Sequence, residues 1–239
     1  MDPLDGVTAA ILAGGFGTRL RSVVADRPKV LAPVAGRPFL AHLLDRLAAA
    51  RVAETVLLTG YGADQVYAAF GEAYRGMALR YSAEPAPLGT GGAVRHAAGL
   101  FAGEAVLLLN GDSFCAIDPA PLVAAVRADA GRIGLGLAWV EDVGRYGAVE
   151  LDPAGRVAAF AEKGGAAGPG WINAGVYLIP RGRLADIPPG RPVSLEREVL
   201  PRWVESPGVR GVQGGRFIDI GTPDSFAAAE AFFADGPPG

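Results

Sequence analysis

The residues best equipped for chemistry begin in the stretch VTAAILAGGFGTRLRSVVADRPK, residues 7–29. Residues 7–13 form an apolar run that reads as a buried strand, and Gly14-Gly15-Phe16-Gly17 turns out of it. Glycine accepts positive φ and carries no Cβ, so backbone N–H groups in such a turn can converge on an anion. Arg19, just behind the turn, adds a forked cation suited to phosphate oxygens. The phosphate loop G-x-x-x-x-G-K-[ST] does not occur in the chain. The dinucleotide fingerprint G-x-G-x-x-G is not matched either, because Leu20 stands where its last glycine belongs. Of 22 basic residues only two, Lys29 and Lys163, are lysine, which marks them as places where a compact point charge is wanted. Asp112 (in LLLNGDSF) and Asp219 (in RFIDIGTPDSF) each follow an apolar run. On pattern alone, either aspartate also serves as the start of an Asx turn.

The elements that must position these residues alternate in type. Strands are expected at 54–59, 79–83 and 105–109, and helices from Pro38, over 63–74, 93–101 and 119–129. The segment 84–92, with two prolines and three glycines, reads as a shaped loop. This strand–helix alternation is the doubly wound α/β pattern, in which ligands bind beyond the carboxyl ends of the strands. The second half changes character. A strand is expected at 133–140 and a hairpin at 146–151 and 156–162 around Asp152-Pro153-Ala154-Gly155. Residues 164–170 read as a mobile loop, and 173–179, 209–213 and 216–220 as strands. Ser194 caps a helix running through Trp203, and Thr222-Pro223 opens the last helix, 223–234. The expected organisation is one domain over 1–239, with an alternating strand–helix half at about 7–130 and a second part of different character at about 131–220.

Half of the 239 residues are hydrophobic, enough for a full core, and the net charge is −3 without a basic block. That composition argues against nucleic acid or an anionic membrane as a partner. A single cysteine, Cys115, excludes an internal disulfide. The first residues lack the features of a signal peptide, and no apolar run reaches membrane-spanning length, so a cytoplasmic protein is expected. His42, His96 and Cys115 have no metal-ligand spacing and read as packing residues.

The run G-G-x-G-T-R-L, with Pro28-Lys29 downstream, resembles the signature of sugar-1-phosphate nucleotidylyltransferases. The longer wording GTRLRSVVADRPKVLAPVAGRPFL is most similar to the heptose 1-phosphate guanylyltransferase branch. The resemblance covers nearly the whole chain. It implies a single Rossmann-like nucleotidyltransferase domain of α/β class. That fold has a mixed, mostly parallel sheet flanked by helices, with an inserted sugar-binding lobe. It implies transfer of a nucleotidyl group from a nucleoside triphosphate to a sugar 1-phosphate with release of pyrophosphate. Mg²⁺ is the implied cofactor, and a homo-oligomer is compatible with it. Silent, regulatory relatives that only bind nucleotide-sugars usually lose the arginine, the lysine or an aspartate. Here Arg19, Lys29, Asp112 and Asp219 are all present, which favours the enzyme.

Residue by residue, the resemblance gives Arg19, Lys29, Asp112 and Asp219 the catalytic work, with the two aspartates on the metal. Arg19 and the loop amides would hold the departing pyrophosphate, and Lys29 the α-phosphate. Leu12, Ala13, Gly14, Gly15, Gly17, Thr18, Glu84, Pro87, Gly89, Thr90 and Asn110 would surround the nucleotide. Tyr146, Gly147, Glu162, Lys163, Asn173 and Gly175 would bind the sugar phosphate. Glu84 stands where the family reads the base edge. A carboxylate accepts two hydrogen bonds side by side, which matches the N1–H and N2–H₂ of guanine, so GTP is the expected substrate. ATP, another triphosphate, or a hexose 1-phosphate is the alternative.

Overall fold

The computed structural model describes residues 4–15, 17, 20, 23–24, 26–128, 131–161 and 167–234. The first half runs β1 (Val7–Leu12), β2 (Pro33–Val34), β3 (Arg37–Pro38), α1 (Phe39–Ala49), β4 (Glu54–Thr59), α2 (Ala63–Phe70), β5 (Ala73–Tyr74), β6 (Met77–Ala83), α3 (Gly89–His96) and β7 (Ala105–Asn110). It continues with β8 (Ser113–Cys115), α4 (Pro119–Ala128), β9 (Ile133–Val140), β10 (Val149–Leu151), β11 (Val157–Phe160), β12 (Gly170–Pro180), α5 (Leu200–Glu205), β13 (Val209–Gln213), β14 (Phe217–Asp219) and α6 (Pro223–Ala234).

Eight strands form one sheet in the order β13-β9-β12-β7-β1-β4-β6-β5. The run β7-β1-β4-β6 is parallel, while β12 lies antiparallel between β7 and β9. Strands of the parallel part read as unbroken apolar runs because helices cover both faces. Alternate residues feed two separate cores. Ala9, Ile11, Leu57, Leu107 and Leu109 face Leu40, Leu43, Leu44 and Leu122. Ala10, Val56, Leu58, Val106 and Leu108 face Val94, Phe101, Leu200 and Trp203. The chain leaves β1 toward β4 and β6, then returns to β7 on the other side of β1. The crevice of a doubly wound sheet opens at such a reversal, and here it falls where Leu12 pairs with Asn110.

The mixed, mostly parallel sheet is the one expected. Several boundaries differ, each for a local reason. Pro38 does not start α1: at φ −53° and ψ 137° it is extended and pairs with Pro33 in β2. The helix expected to Tyr74 stops at Phe70, because Gly71 takes φ +62° and Tyr74 turns into a strand opposite Met77. The segment 84–92 is not all loop, since α3 begins at Gly89. Ser194 does cap, its Oγ accepting from the Arg197 amide, but a π-turn over Leu195–Val199 precedes the short α5. Among the described residues no helix is long and apolar enough to cross a membrane.

One small ladder brings distant segments of the chain together. β8 and β14 pair antiparallel, with Ser113 opposite Asp219 and Cys115 opposite Phe217. Cys115, itself in this ladder, is buried, and burial pushes its thiol up to about 11, partly opposed by the Arg46 cation. The native protein is therefore expected to leave Cys115 unmodified by a disulfide reagent at pH 8, and guanidinium to release one thiol per chain. Prompt modification without denaturant would mean that the β8–β14 ladder opens readily.

Candidate active site

The carboxyl ends of four neighbouring strands supply one cleft. After β1 come Gly14, Gly15 and Gly17; after β4, Gly60; after β6, Glu84; after β7, Gly111 and Asp112. A cavity of ≈ 170 Å³ opens there, lined by Leu12, Gly15, Gly17, Lys29, Val30, Asp112 and Gly221. Close backbone approach shapes it. The Gly111 amide donates to the Leu12 carbonyl (3.0 Å), and a Cβ at Gly111 would fall 2.1 Å from that same oxygen. Only glycine lets β1 and the start of the Asp112 turn come this near.

Lys29 rises from a short helical turn, and its Nζ donates to Asp112 Oδ2 at 2.8 Å. The lysine side chain is only 10% exposed while the aspartate is 45% exposed, so the pair points its acidic member at the cleft. Asp219 arrives from a part of the chain more than a hundred residues away. The β8–β14 ladder and the bond from the Ile220 amide to the Asp112 carbonyl (2.9 Å) place it beside Asp112. Its Oδ1 accepts from the Gly221 amide (2.6 Å) and from Ser225 Oγ (3.1 Å). Its Oδ2 accepts from Tyr146 Oη (2.6 Å) and Arg145 Nη2 (2.5 Å). Burial first, and the bond to Asp219 second, push the Tyr146 phenol well up, so it remains a donor.

Glu84 lies at the other end of the cleft. Its Oε2 accepts from the Leu88 amide (3.0 Å), and its Oε1 packs where a Cβ on Gly60 would be, at 2.7 Å. Desolvation raises its pKa, opposed by the Leu88 bond. Gly89, at φ +70°, is pressed against the Val193 backbone, where a Cβ would meet the carbonyl at 2.6 Å. On the sugar side, Gly175 at φ +74° sits where the β12 register against β9 shifts. Its amide donates to Asn173 Oδ1 (2.9 Å), and Asn173 Nδ2 donates to Tyr177 Oη (2.9 Å). Asn110 lies across from that irregularity, and its buried Oδ1 finds no donor among the described residues.

The fold thus gathers Leu12, Gly15, Gly17, Lys29 and Asp112 around one cavity, with Asp219 bonded to its lining residue Gly221 and Tyr146 touching Asp219. Thr90 is engaged otherwise: its hydroxyl donates to Glu196 Oε2 (2.7 Å) and accepts from the Leu195 amide (2.8 Å). Thr18, Arg19, Glu162 and Lys163 lie outside the described residues. Two residues escape sequence reasoning. Arg145 is one arginine among many, and only the adjoining Tyr146-Gly147 could have drawn attention to it. Glu196 joins Thr90, Ser194 and Tyr177 across the two halves of the chain, and nothing in the sequence around it signals that.

Asp112 and Asp219, on adjoining segments joined by the Ile220–Asp112 backbone bond, offer the hard carboxylate oxygens that a divalent cation takes. Mg²⁺ takes one or two carboxylates and completes its shell with phosphates and water, so Asp112 and Asp219 fit it. Among the described residues no group of three or more acidic, His or Cys side chains could hold a metal unaided.

A family model described as nucleotidyl transferase matches residues 8–236. The chain belongs to that family. It is 34% identical over 223 residues to the D-glycero-alpha-D-manno-heptose 1-phosphate guanylyltransferase of Aneurinibacillus thermoaerophilus, covering 93% of this chain and 96% of that one. It is 38% identical over 229 residues to the mannose-1-phosphate guanylyltransferase of Mycobacterium tuberculosis, but spans only 64% of that relative's length. The crystal structure of HddC from Yersinia pseudotuberculosis complexed with GMP-PN superposes with a TM-score of 0.83 at 30% identity, over 95% of this chain and 99% of that one. A Bacillus anthracis structure only 20% identical gives a TM-score of 0.85 and shows the shared fold alone. The expected nucleotidyltransferase fold is therefore the one this chain has.

Gly111→Ala tests the geometry directly. Forcing a methyl against the Leu12 carbonyl should cost about 1–3 kcal/mol, seen as a melting temperature lower by several degrees. An unchanged melting temperature would mean that the β1–β7 contact is looser than described.

Proposed function

We propose that the chain is a Mg²⁺-dependent sugar-1-phosphate guanylyltransferase: an oxygen of the sugar phosphate attacks the α-phosphorus of GTP, and pyrophosphate leaves. The observation that carries this reading is the Lys29–Asp112–Asp219 cluster at the strand reversal, beside the glycine turn. Two anions must meet in such a reaction, so positioning and charge neutralisation supply most of the catalysis. Asp112 and Asp219 would hold Mg²⁺, which would supply positive charge for the meeting phosphates. Lys29 bears on the α-phosphate, where negative charge grows in the transition state. Arg19 and the amides around Gly15 and Gly17 hold the pyrophosphate end. Lys163 and Glu162 hold the sugar phosphate and a sugar hydroxyl, as the family resemblance implies.

Glu84 reads guanine. One of its oxygens already serves the Leu88 amide, so that oxygen uses its second lone pair while Oε1 takes the other donor. Heptose 1-phosphate is the preferred acceptor, because the chain matches heptose relatives over nearly their whole length. Mannose 1-phosphate is the second reading, favoured by the higher identity to the mycobacterial relative.

Pyrophosphate release, measured with GTP, ATP, UTP, CTP and dTTP against both sugar phosphates, tests the proposal. GTP should lead in kcat/KM by about tenfold or more, the size of one well-placed hydrogen bond to a charged group. Glu84→Gln should erase most of that lead. Asp112→Ala and Asp219→Asn should each lose about 10²–10³ in kcat. A wild type that prefers ATP or a pyrimidine nucleotide would refute the base assignment, and normal turnover in either aspartate variant would refute the metal site.

A further inference from the structure

Each oxygen of Asp219 has two donor groups within hydrogen-bond distance. An ionised carboxylate offers about four lone-pair sites, and Asp219 receives Gly221 N–H, Ser225 Oγ, Tyr146 Oη and Arg145 Nη2. A metal ion can reach this carboxylate only if one donor leaves. Three of them are fixed. The Gly221 amide is backbone two residues away, and Ser225 is buried in the cap of α6 with Thr222. The Tyr146 ring is wedged edge-on against Phe217, centroids 5.6 Å apart. Arg145 alone is long, 45% exposed, and carried on a three-residue turn. Its guanidinium also lies over the Tyr146 ring at 4.8 Å, which keeps it at the site after it lets go.

We propose that Arg145 exchanges partners during the reaction cycle, ceding Asp219 to the metal and taking the phosphate of the incoming sugar 1-phosphate. The exchange rests on the two-aspartate metal site of the proposed function. A guanidinium freed beside a dication is repelled unless an anion arrives with it, and its planar fork matches two phosphate oxygens. The sugar phosphate is the right anion because Arg145 adjoins Tyr146-Gly147, the stretch to which the family resemblance assigns the sugar phosphate. The exchange couples the two ligands: metal binding is weak while Arg145 occupies Asp219 and strengthens when the sugar phosphate draws the arginine away. Such coupling is reciprocal.

The test is Mn²⁺ titration by electron paramagnetic resonance on the full chain, with and without mannose 1-phosphate as the probe. Wild type, Arg145→Gln, Arg145→Lys and Asp219→Asn are compared, with melting curves to confirm folding. In wild type, mannose 1-phosphate should tighten Mn²⁺ by about 5–100-fold, the usual span of coupling between two sites. Arg145→Gln should bind Mn²⁺ alone more tightly than wild type, by a similar factor, and lose the response to mannose 1-phosphate. Arg145→Lys should keep part of it. An Arg145→Gln protein with wild-type Mn²⁺ affinity and an intact response overturns the exchange. Mn²⁺ binding that Asp219→Asn leaves untouched overturns the metal site itself, and the exchange with it.

Discussion

Asp112 and Asp219 stand on neighbouring segments joined by backbone hydrogen bonds, and much of the structure around them balances their negative charge. The three-rung ladder between β8 and β14 forces them together. Lys29 neutralises one and Arg145 the other. The two ion pairs differ in a way that matters. At Asp112 the cation is the buried member and the acid faces the cleft, so the negative charge is presented to whatever enters. At Asp219 the acid is the buried member, only 12% exposed, and the cation faces out. One carboxylate is thus open to a ligand, and the other is covered by a side chain able to move.

The rest of the fold holds these groups still. Two cores, one on each face of the sheet, fix the carboxyl ends of β1, β4, β6 and β7, and the close approach at Gly111 locks the Asp112 turn against β1. β12 is the exception among its neighbours. Running antiparallel to β7, it brings its irregular Asn173–Gly175 stretch to the same edge as Asn110. Residues from both halves of the chain therefore meet at one rim. The bonds that Thr90 and Ser194 donate to Glu196 tie that rim to the start of α3.

What the sequence reveals divides along physical lines. Buried parallel strands write themselves as apolar runs, so β1, β4 and β7 are legible. A turn that needs close backbone approach demands glycine, so the loop after β1 is legible too. Lys29, Asp112 and Asp219 stand out because each has a distinctive neighbourhood, and the fold does unite them. The end of α2 is hidden because apolar spacing continues past Gly71 into Tyr74, and only the backbone turn at Gly71 separates helix from strand. The start of α3 is hidden because glycines that normally break helices here admit the Val193 backbone. Arg145 and Glu196 are invisible because their significance lies in partners 74 and 106 residues away. No local pattern encodes a contact of that kind.

The most direct test is a crystal structure of the protein with Mg²⁺, a non-hydrolysable GTP analogue and a sugar 1-phosphate. One metal ion is expected, bound jointly by Asp112 and Asp219 and by phosphate oxygens, with Lys29 on the α-phosphate and Arg145 released from Asp219. A complex in which both substrates are bound while Asp219 still holds Arg145, with the metal on Asp112 alone or elsewhere, would contradict the two-aspartate site and the exchange at Arg145.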